Sequence, residues 1–223
     1  MTDQTFSRRL VAEFIGTGML VCAVIGSGIM AERLAVGSAA VALLANTVAT
    51  GAALLALIMM FARISGAHFN PVISLSAAIN SELSWSEALC YVLVQLMGGL
   101  LGVSVANLMF ELPAFFASSK ARTGSSQWLG EFVATFGLVG LVVAVSRRHK
   151  TIAIALSVAA YITAAYWFTS STSFANPAVT IARSLTDTFT GIRPADVPAF
   201  VAAQLAGAVT ASFLFNWLVP KKL

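Results

Sequence analysis

Six long apolar segments dominate this sequence and constrain how it can fold. A helix needs about 20 apolar residues to cross a hydrocarbon core about 30 Å thick. The segments that approach or exceed this length are Leu10 to Met30, Leu34 to Phe61, Ala88 to Phe110, Trp128 to Ser146, Thr151 to Phe168 and Pro198 to Val219. Because 58% of the residues are hydrophobic and only 10% are charged, the chain is predicted to be an all-α membrane protein rather than a soluble domain.

The basic residues predict how these spans are oriented. An even number of spans places both termini on one side, and an excess of Lys and Arg marks the cytoplasmic side. The terminal side would carry Arg8, Arg9, Arg63, Arg147, Arg148, Lys150, Lys221 and Lys222. The opposite side would carry Arg33, Lys120, Arg122, Arg183 and Arg193. This bias predicts a multi-pass protein of the plasma (inner) membrane with both termini in the cytoplasm.

Two loops repeat one feature, an Asn-Pro pair among small residues after a long apolar segment. Asn can cap the first free amides of a helix, and Pro is tolerated at the first helical position. The helices that follow, Pro71 to Ala78 and Pro177 to Leu185, would be only about 12 to 14 Å long. Such half-helices survive at membrane depth only where protein or a water-filled cavity covers them, so a matched pair indicates a binding or permeation site.

Other segments repeat as well. Leu10 to Phe14 is echoed by Trp128 to Phe132, and Gln95 to Gly98 is echoed by Gln204 to Gly207. Each half therefore holds three spans and one half-helix, and because three is odd the second half is inverted. The predicted halves are residues 8–112 and 126–219, within one channel domain of residues 1–223.

The paired boxes Asn70-Pro71-Val72 and Asn176-Pro177-Ala178 resemble those of the aquaporin, or major intrinsic protein, family. The resemblance covers nearly the whole chain. It implies six transmembrane helices plus two half-helices in an inverted 3+3 repeat, with the half-helices meeting inside a pore. It also implies a passive channel that is not an enzyme, uses no cofactor or metal, and assembles as a homotetramer in the lipid bilayer.

The half-helix starts predict the chemistry of the pore centre. Their positive ends would repel cations, including hydronium. The side-chain amides of Asn70 and Asn176 would offer N–H donors to a passing solute oxygen. For water, this orientation would interrupt a proton wire.

In the resembled family, four residues nearer the outside set selectivity. Counted without gaps from the two Asn residues, the matching positions are Thr50, Ala164, Ser173 and Val179. None is aromatic or charged, and Val179 stands where the family normally has Arg. Loss of a guanidinium and of large rings should widen this filter and remove fixed donors. The sequence therefore predicts a filter for uncharged solutes larger than water.

The run from Ala175 to Arg183 resembles a bacterial branch of the family linked to arsenic handling. That resemblance implies passage of trivalent arsenic, methylated arsenicals and glycerol-like molecules. Arsenous acid is a neutral triol near pH 7 and could present hydroxyls to the Asn pair. The alternatives are a water channel and a general facilitator for neutral solutes such as glycerol or urea.

Glu13 and Glu131 are carboxylates inside the first span of each half. Buried carboxylates in membranes are unfavourable and often functional. In a proton-coupled secondary transporter they would titrate. In a channel, as the resemblance implies, they would accept hydrogen bonds from the backbone amides of the half-helix loops, and this structural role is our prediction.

Two further side chains are candidates for the pore. Arg183 lies one helical turn beyond Val179 and could form a cationic element of the mouth, or else be a surface residue paired with Asp187. His68 precedes Asn70 by two residues and is predicted to line the inner pore or brace its loop, with gating by protonation as a further possibility.

Overall fold

The computed structural model describes residues 4–147 and 150–220, and the regular structure in them is helical. The six predicted spans are confirmed as helices long and apolar enough to cross a membrane. Two short helices follow the Asn-Pro pairs. The helices are α1 (Phe6–Leu34), α2 (Ala39–Ser65), α3 (Pro71–Ile79), α4 (Trp85–Met109), α5 (Ser125–Ser146), α6 (Thr151–Phe168), α7 (Pro177–Arg183) and α8 (Val197–Leu218), with a 3-10 turn at Pro194–Asp196.

Local sequence signals explain where several helices begin and end. Ser84 and Glu87 form a capping box at the start of α4, in which each side chain bonds to the backbone amide of the other residue. Ser38 caps α2, and Gly66 ends it with a left-handed φ of 94°. Asn70 and Asn176 cap α3 and α7 as predicted, each with Pro in the first turn.

The two halves repeat the same close helix contact. A Cβ atom on Gly98 of α4 would lie 2.2 Å from the carbonyl oxygen of Phe14 in α1. A Cβ atom on Gly207 of α8 would lie 2.6 Å from the carbonyl oxygen of Phe132 in α5. Only glycine allows backbones to approach this closely. The repeat found in the sequence is therefore also a repeat of packing, in which α1 and α4 correspond to α5 and α8.

The start of α1 and the end of α8 lie at the same end of the bundle, here called the terminal side. Arg9, near the start of α1, forms an ion pair of 2.9 Å with Glu87 at the start of α4. Arg147, after α5, donates to the carbonyl oxygen of Val219 after α8. Three of the basic positions counted for orientation, Arg148, Lys221 and Lys222, lie outside the described residues, as does His149.

The segment between the halves crosses the opposite end, here called the linker side. Its backbone joins the loop after α7, since Phe116 and Ser118 donate to the carbonyl oxygens of Leu185 and Ser184 at 3.1 and 3.0 Å. The carboxylate of Asp187 accepts hydrogen bonds from Ser118 and Ser119. The hydrogen bond from the Ser119 amide lowers the pKa of Asp187. The linker is therefore fixed beside α7.

Candidate functional site: a pore between two half-helices

One cavity of about 320 Å³ extends through the bundle. At the terminal side it is lined by Ser146 and Thr151, and at the linker side by Tyr166 and Arg183. Much of the wall between them is aliphatic: Leu20, Val24, Leu54, Ile58, Ile73, Leu138, Val142, Val143, Ile154, Val158 and Ile162. The cavity thus connects both ends of the bundle through a mainly apolar wall.

Asn70 and Asn176 join the two half-helices at the middle of this cavity. The side-chain amide of Asn70 donates to the carbonyl oxygen of Ala175 at 2.8 Å, and that of Asn176 donates to the carbonyl oxygen of Phe69 at 2.9 Å. Their Oδ1 atoms accept from the first amides of α3 and α7. Each NH2 group keeps one further hydrogen, and both residues line the cavity.

The other members of the two boxes lie behind the cavity wall. Pro71 and Pro177 begin the two half-helices, and Val72 and Ala178 are 0% and 1% exposed. None of these four residues lines the cavity. Within each box, only the Asn residue reaches the passage.

The loops before the boxes have the same unusual backbone conformation. Ala67 and Phe69 have φ of 54° and 50°, and Ser173 and Ala175 have φ of 50° and 47°. These residues stand three and one positions before each Asn. A non-glycine residue in this region costs of order 1–3 kcal/mol and persists only where its surroundings hold it. Both loops therefore need a brace.

Glu13 provides the brace for the first loop. Its carboxylate accepts hydrogen bonds from the amides of His68 and Phe69 at 2.9 and 2.7 Å. It also accepts from Ser65 Oγ at 2.6 Å and from Gln95 Nε2 at 2.8 Å. Two of these donors are backbone amides of the half-helix loop, the kind of donor predicted for this carboxylate.

Glu131 occupies the equivalent position in the second half. It accepts from the amides of Phe174 and Ala175 at 2.8 and 2.9 Å, and from Gln204 Nε2 at 2.5 Å. Both glutamates are 0% exposed, and neither lines the cavity.

Sequence reasoning missed one pair of residues in these braces. Gln95 Nε2 also donates to Ser74 Oγ at 3.0 Å, and Gln204 Nε2 donates to Thr180 Oγ1 at 2.8 Å. Ser74 and Thr180 each stand four residues after the box Asn. A hydroxyl at the same offset in both repeats was the signal that could have identified them.

Three of the four predicted filter residues, Thr50, Ser173 and Val179, line the cavity. Ala164 does not, and its assignment is corrected: it is exposed on the outer face of α6. Side chains four residues apart share a helix face, so Val158, Ile162 and Tyr166 face the cavity while Ala164 faces away.

The passage therefore contains an aromatic side chain that counting from Asn176 did not find. The hydroxyl of Tyr166 lies 3.3 Å from Thr50 Oγ1. Both groups line the same cavity.

Arg183 is a buried wall residue, only 2% exposed. Its guanidinium carbon lies 3.3 Å from the ring centroid of Phe174, and its Nε donates to the carbonyl oxygen of Thr190 at 2.5 Å. The alternative of a surface arginine paired with Asp187 is wrong, because Arg183 is buried and forms no ion pair with Asp187 among the described residues.

Comparison with known proteins identifies the family. The family described as "Major intrinsic protein" matches residues 1–154 and 148–222. The chain belongs to the major intrinsic protein family. As a major intrinsic protein, it is a membrane channel rather than an enzyme.

Individual relatives agree with this assignment. Aquaglyceroporin AqpS of Rhizobium meliloti (strain 1021) is 52% identical over 219 residues, which cover 98% of this chain and 93% of the relative. Aquaporin TIP1-2 of Zea mays is 34% identical over 149 residues, covering 65% and 58%. The X-ray structure of the aquaglyceroporin from Plasmodium falciparum shares the fold, with a TM-score of 0.75 at 18% identity and coverage of 97% and 98%.

His68 lines this channel on the terminal side of Asn70. Its Nδ1 lies 3.1 Å from Ser74 Oγ, and its ring packs edge-on against Tyr91 with centroids 5.4 Å apart. Its backbone amide is one of the donors to Glu13. His68 thus contacts both the passage and the brace of the first loop.

Proposed function

We propose that this major intrinsic protein is a passive channel for small uncharged solutes such as glycerol. The observation that carries the proposal is the continuous cavity in which two Asn amides face a mainly aliphatic wall. A polyol can present its hydroxyl oxygens to the amides and its carbon chain to the wall. An ion would lose its hydration without a compensating charge along most of this wall.

The finer proposal concerns arsenic. We propose that the solutes include arsenous acid and methylated trivalent arsenicals, which are small, uncharged and hydroxyl-bearing. The filter offers hydroxyls from Thr50 and Ser173 beside the apolar side chain of Val179. Val179 stands where the resembled family normally has Arg, and an apolar residue there favours a solute that carries methyl groups.

The braces of the loops support a channel over a proton-coupled transporter. Glu13 and Glu131 are both fully buried, lie outside the cavity wall and accept several hydrogen bonds each. Protonation of either carboxylate would remove acceptors from a strained loop. A group in this position is poorly placed to load and release protons during every transport cycle.

We further propose that the channel lies in the plasma (inner) membrane with both termini in the cytoplasm, and that it forms a homotetramer with one pore per subunit. The Lys and Arg bias supports the orientation. Family membership supports the assembly.

The test is light scattering by stopped flow on proteoliposomes, comparing water, glycerol and urea, with direct uptake of arsenous acid and methylated trivalent arsenicals. Fast glycerol and arsenical entry above empty liposomes is the expected result. Fast water entry without solute flux would replace this proposal with a water channel. Uptake that follows an imposed proton gradient would replace it with a coupled transporter.

Val179→Arg tests the filter directly. A guanidinium at this position fills the passage and adds fixed donors, so glycerol and arsenical permeability should fall by about tenfold or more while water is affected less. Val179→Leu adds volume without charge and serves as the control for size. Equal solute flux in wild type and Val179→Arg would show that this position does not limit passage.

A further inference from the structure

The linker-side end of the cavity is strongly cationic. We call this end, formed by Tyr166, Ser173, Phe174 and Arg183, the linker-side chamber. The guanidinium carbon of Arg183 lies 3.3 Å from the Phe174 ring centroid, and that of Arg122, from the linker, lies 5.0 Å from it. Two guanidinium groups therefore pack against one aromatic ring beside the passage.

Neither guanidinium has a carboxylate partner. In residues 4–147 and 150–220 the ion pairs are Arg9–Glu87 and Arg193–Asp196. Arg122 instead donates to the carbonyl oxygens of Gly191 and Ser171 at 2.8 and 3.3 Å. Burial lowers the pKa of Arg122, which reflects how unfavourable an unpaired cation is in this position.

A nearby lysine adds to the positive potential. Burial lowers the pKa of Lys120, and the charges of Arg122 and Arg183 lower it further. The Lys120 ammonium donates to the carbonyl oxygen of Phe189 at 2.7 Å. Carbonyl oxygens contact these cations directly. The carboxylates of Glu131, Glu32 and Asp187 act on them from a distance, without forming an ion pair.

Two polar atoms of the chamber are buried and have no hydrogen-bond partner within the described part of the chain. They are Nη1 of Arg183 and Oγ of Ser173, on residues 2% and 3% exposed. Buried polar groups are nearly always hydrogen-bonded, so each such atom needs an explanation. Both residues line the cavity, and Ser173 directly precedes the ring against which Arg183 packs. A small ligand with two acceptor oxygens, one for each atom, would supply the missing partners.

We infer that the linker-side chamber binds a small oxyanion, which accepts hydrogen bonds from Arg183 Nη1 and Ser173 Oγ. The anion places a negative charge in direct contact with Arg183, which forms no ion pair among the described residues, and a charge-assisted bond to a guanidinium favours it over a neutral solute. The remaining lining is mainly aliphatic, includes Glu82, and contains no further Arg or Lys among the described residues. The anion therefore stays in the chamber and competes with neutral solutes.

Binding can be measured without transport. Purified protein in detergent is titrated with sodium formate against sodium chloride at constant ionic strength, and the melting temperature is recorded. The melting temperature of the wild-type protein should rise with formate concentration and then reach a plateau. Arg183→Gln should reduce the apparent affinity about tenfold or more, and Ser173→Ala should reduce it severalfold.

Arg33→Gln is the matched control. Arg33 also lies at the linker side, donates to the carbonyl oxygen of Phe110 at 2.9 Å and packs over an aromatic ring, but it is exposed and outside the cavity. It should keep the wild-type formate response. If Arg183→Gln does not fold, the formate titration is done with Ser173→Ala and Arg183→Lys as the two chamber variants. An equal response to formate and chloride in wild type, or an undiminished response in both chamber variants, would overturn the binding site.

Competition is measured separately, and it alone rests on the proposed function. At a formate concentration equal to the wild-type dissociation constant, glycerol influx into wild-type proteoliposomes should fall measurably relative to chloride, and Ser173→Ala should need a severalfold higher formate concentration for the same inhibition. Formate binding without inhibition would refute competition and leave the site intact. Absent glycerol flux in every sample, with a normal formate shift, would refute the proposed function alone.

Discussion

Glu13 and Glu131 stabilise residues whose backbone conformations are unfavourable by themselves. Ala67, Phe69 and their counterparts in the second loop have left-handed φ values, which favour glycine in most proteins. Neither loop uses glycine at these positions. The carboxylates instead bind consecutive amides beside them. At the residue scale, the pore is thus shaped by buried acceptors rather than by flexible residues.

Glu131→Gln should therefore destabilise the protein by about 2–4 kcal/mol, because a carboxamide offers fewer acceptor sites to two amides and a glutamine. The melting temperature in detergent should fall, and the symmetric change Glu13→Gln should act in the same direction. Solute flux per folded protein should keep its wild-type pH dependence. A folded variant that loses coupling to a proton gradient would instead support a transporter.

Individual side chains differed in how well the sequence predicted them. Asn70 and Asn176 were predictable because capping is a local property of the residue and its neighbours. Tyr166 was not, since its position depends on the length of the loop between α6 and Asn176 and hence on which face of α6 meets the cavity. Arg183 was placed near the mouth, but its contact with Phe174 depends on tertiary packing that no local pattern encodes.

At the scale of elements, the bundle depends on close approach between paired helices. Gly98 and Gly207 let α4 and α8 contact the backbones of α1 and α5. Their equivalent positions were visible in the sequence, because small residues recur after the repeated Gln. The distance between the backbones was not, since it is set by every contact along each pair.

Gly98→Ala and Gly207→Ala should each lower stability by about 1–3 kcal/mol, because the added Cβ would overlap a carbonyl oxygen that cannot move freely. Gly26→Ala is the control: its Cβ would meet Phe110 at an ordinary 3.4 Å. That variant should melt at or slightly above the wild-type temperature. Equal melting temperatures for all three variants would mean that the helix pairs separate readily.

The linker is a second element whose order depends on one carboxylate. Asp187 has a lowered pKa through the Ser119 amide, so the contact is stabilised above the unfolded-state pKa of about 4 and lost as pH falls through the folded-state value. Asp187→Asn should speed hydrogen exchange in residues 115–120 at pH 7, measured by mass spectrometry. Glu111→Gln, in the same linker, is the control. Unchanged exchange in Asp187→Asn would assign the order of the linker to its backbone contacts.

The whole molecule is held together at its centre by reciprocal hydrogen bonds between halves. Asn70 reaches the second loop and Asn176 reaches the first. The inverted repeat was predictable from the sequence because an odd number of spans reverses the second half. The crossing of the two amides was not, since the capping pattern predicts only that both amides face a passing solute.

A double-mutant cycle on the two box residues tests this connection. Asn70→Ala and Asn176→Ala should each reduce stability by about 1–2 kcal/mol through loss of a cap and of one bond between halves. The double variant should fall short of their sum by at least about 0.5 kcal/mol, because either change alone loosens both loops. Melting temperatures in detergent provide the measurement. Strict additivity would show that the loops are held independently.

Synthesis on the ribosome proceeds in one direction. The hydrogen bond from Asn70 to the carbonyl oxygen of Ala175 joins residues 105 positions apart. The carboxamide of Asn70 and the carbonyl group of Phe69 are synthesised before their partners, Ala175 and Asn176. A membrane offers such groups no substitute for water. The first loop therefore stays incomplete until α5 to α8 have been inserted, so that docking of the second re-entrant loop is the step that closes the pore during biogenesis.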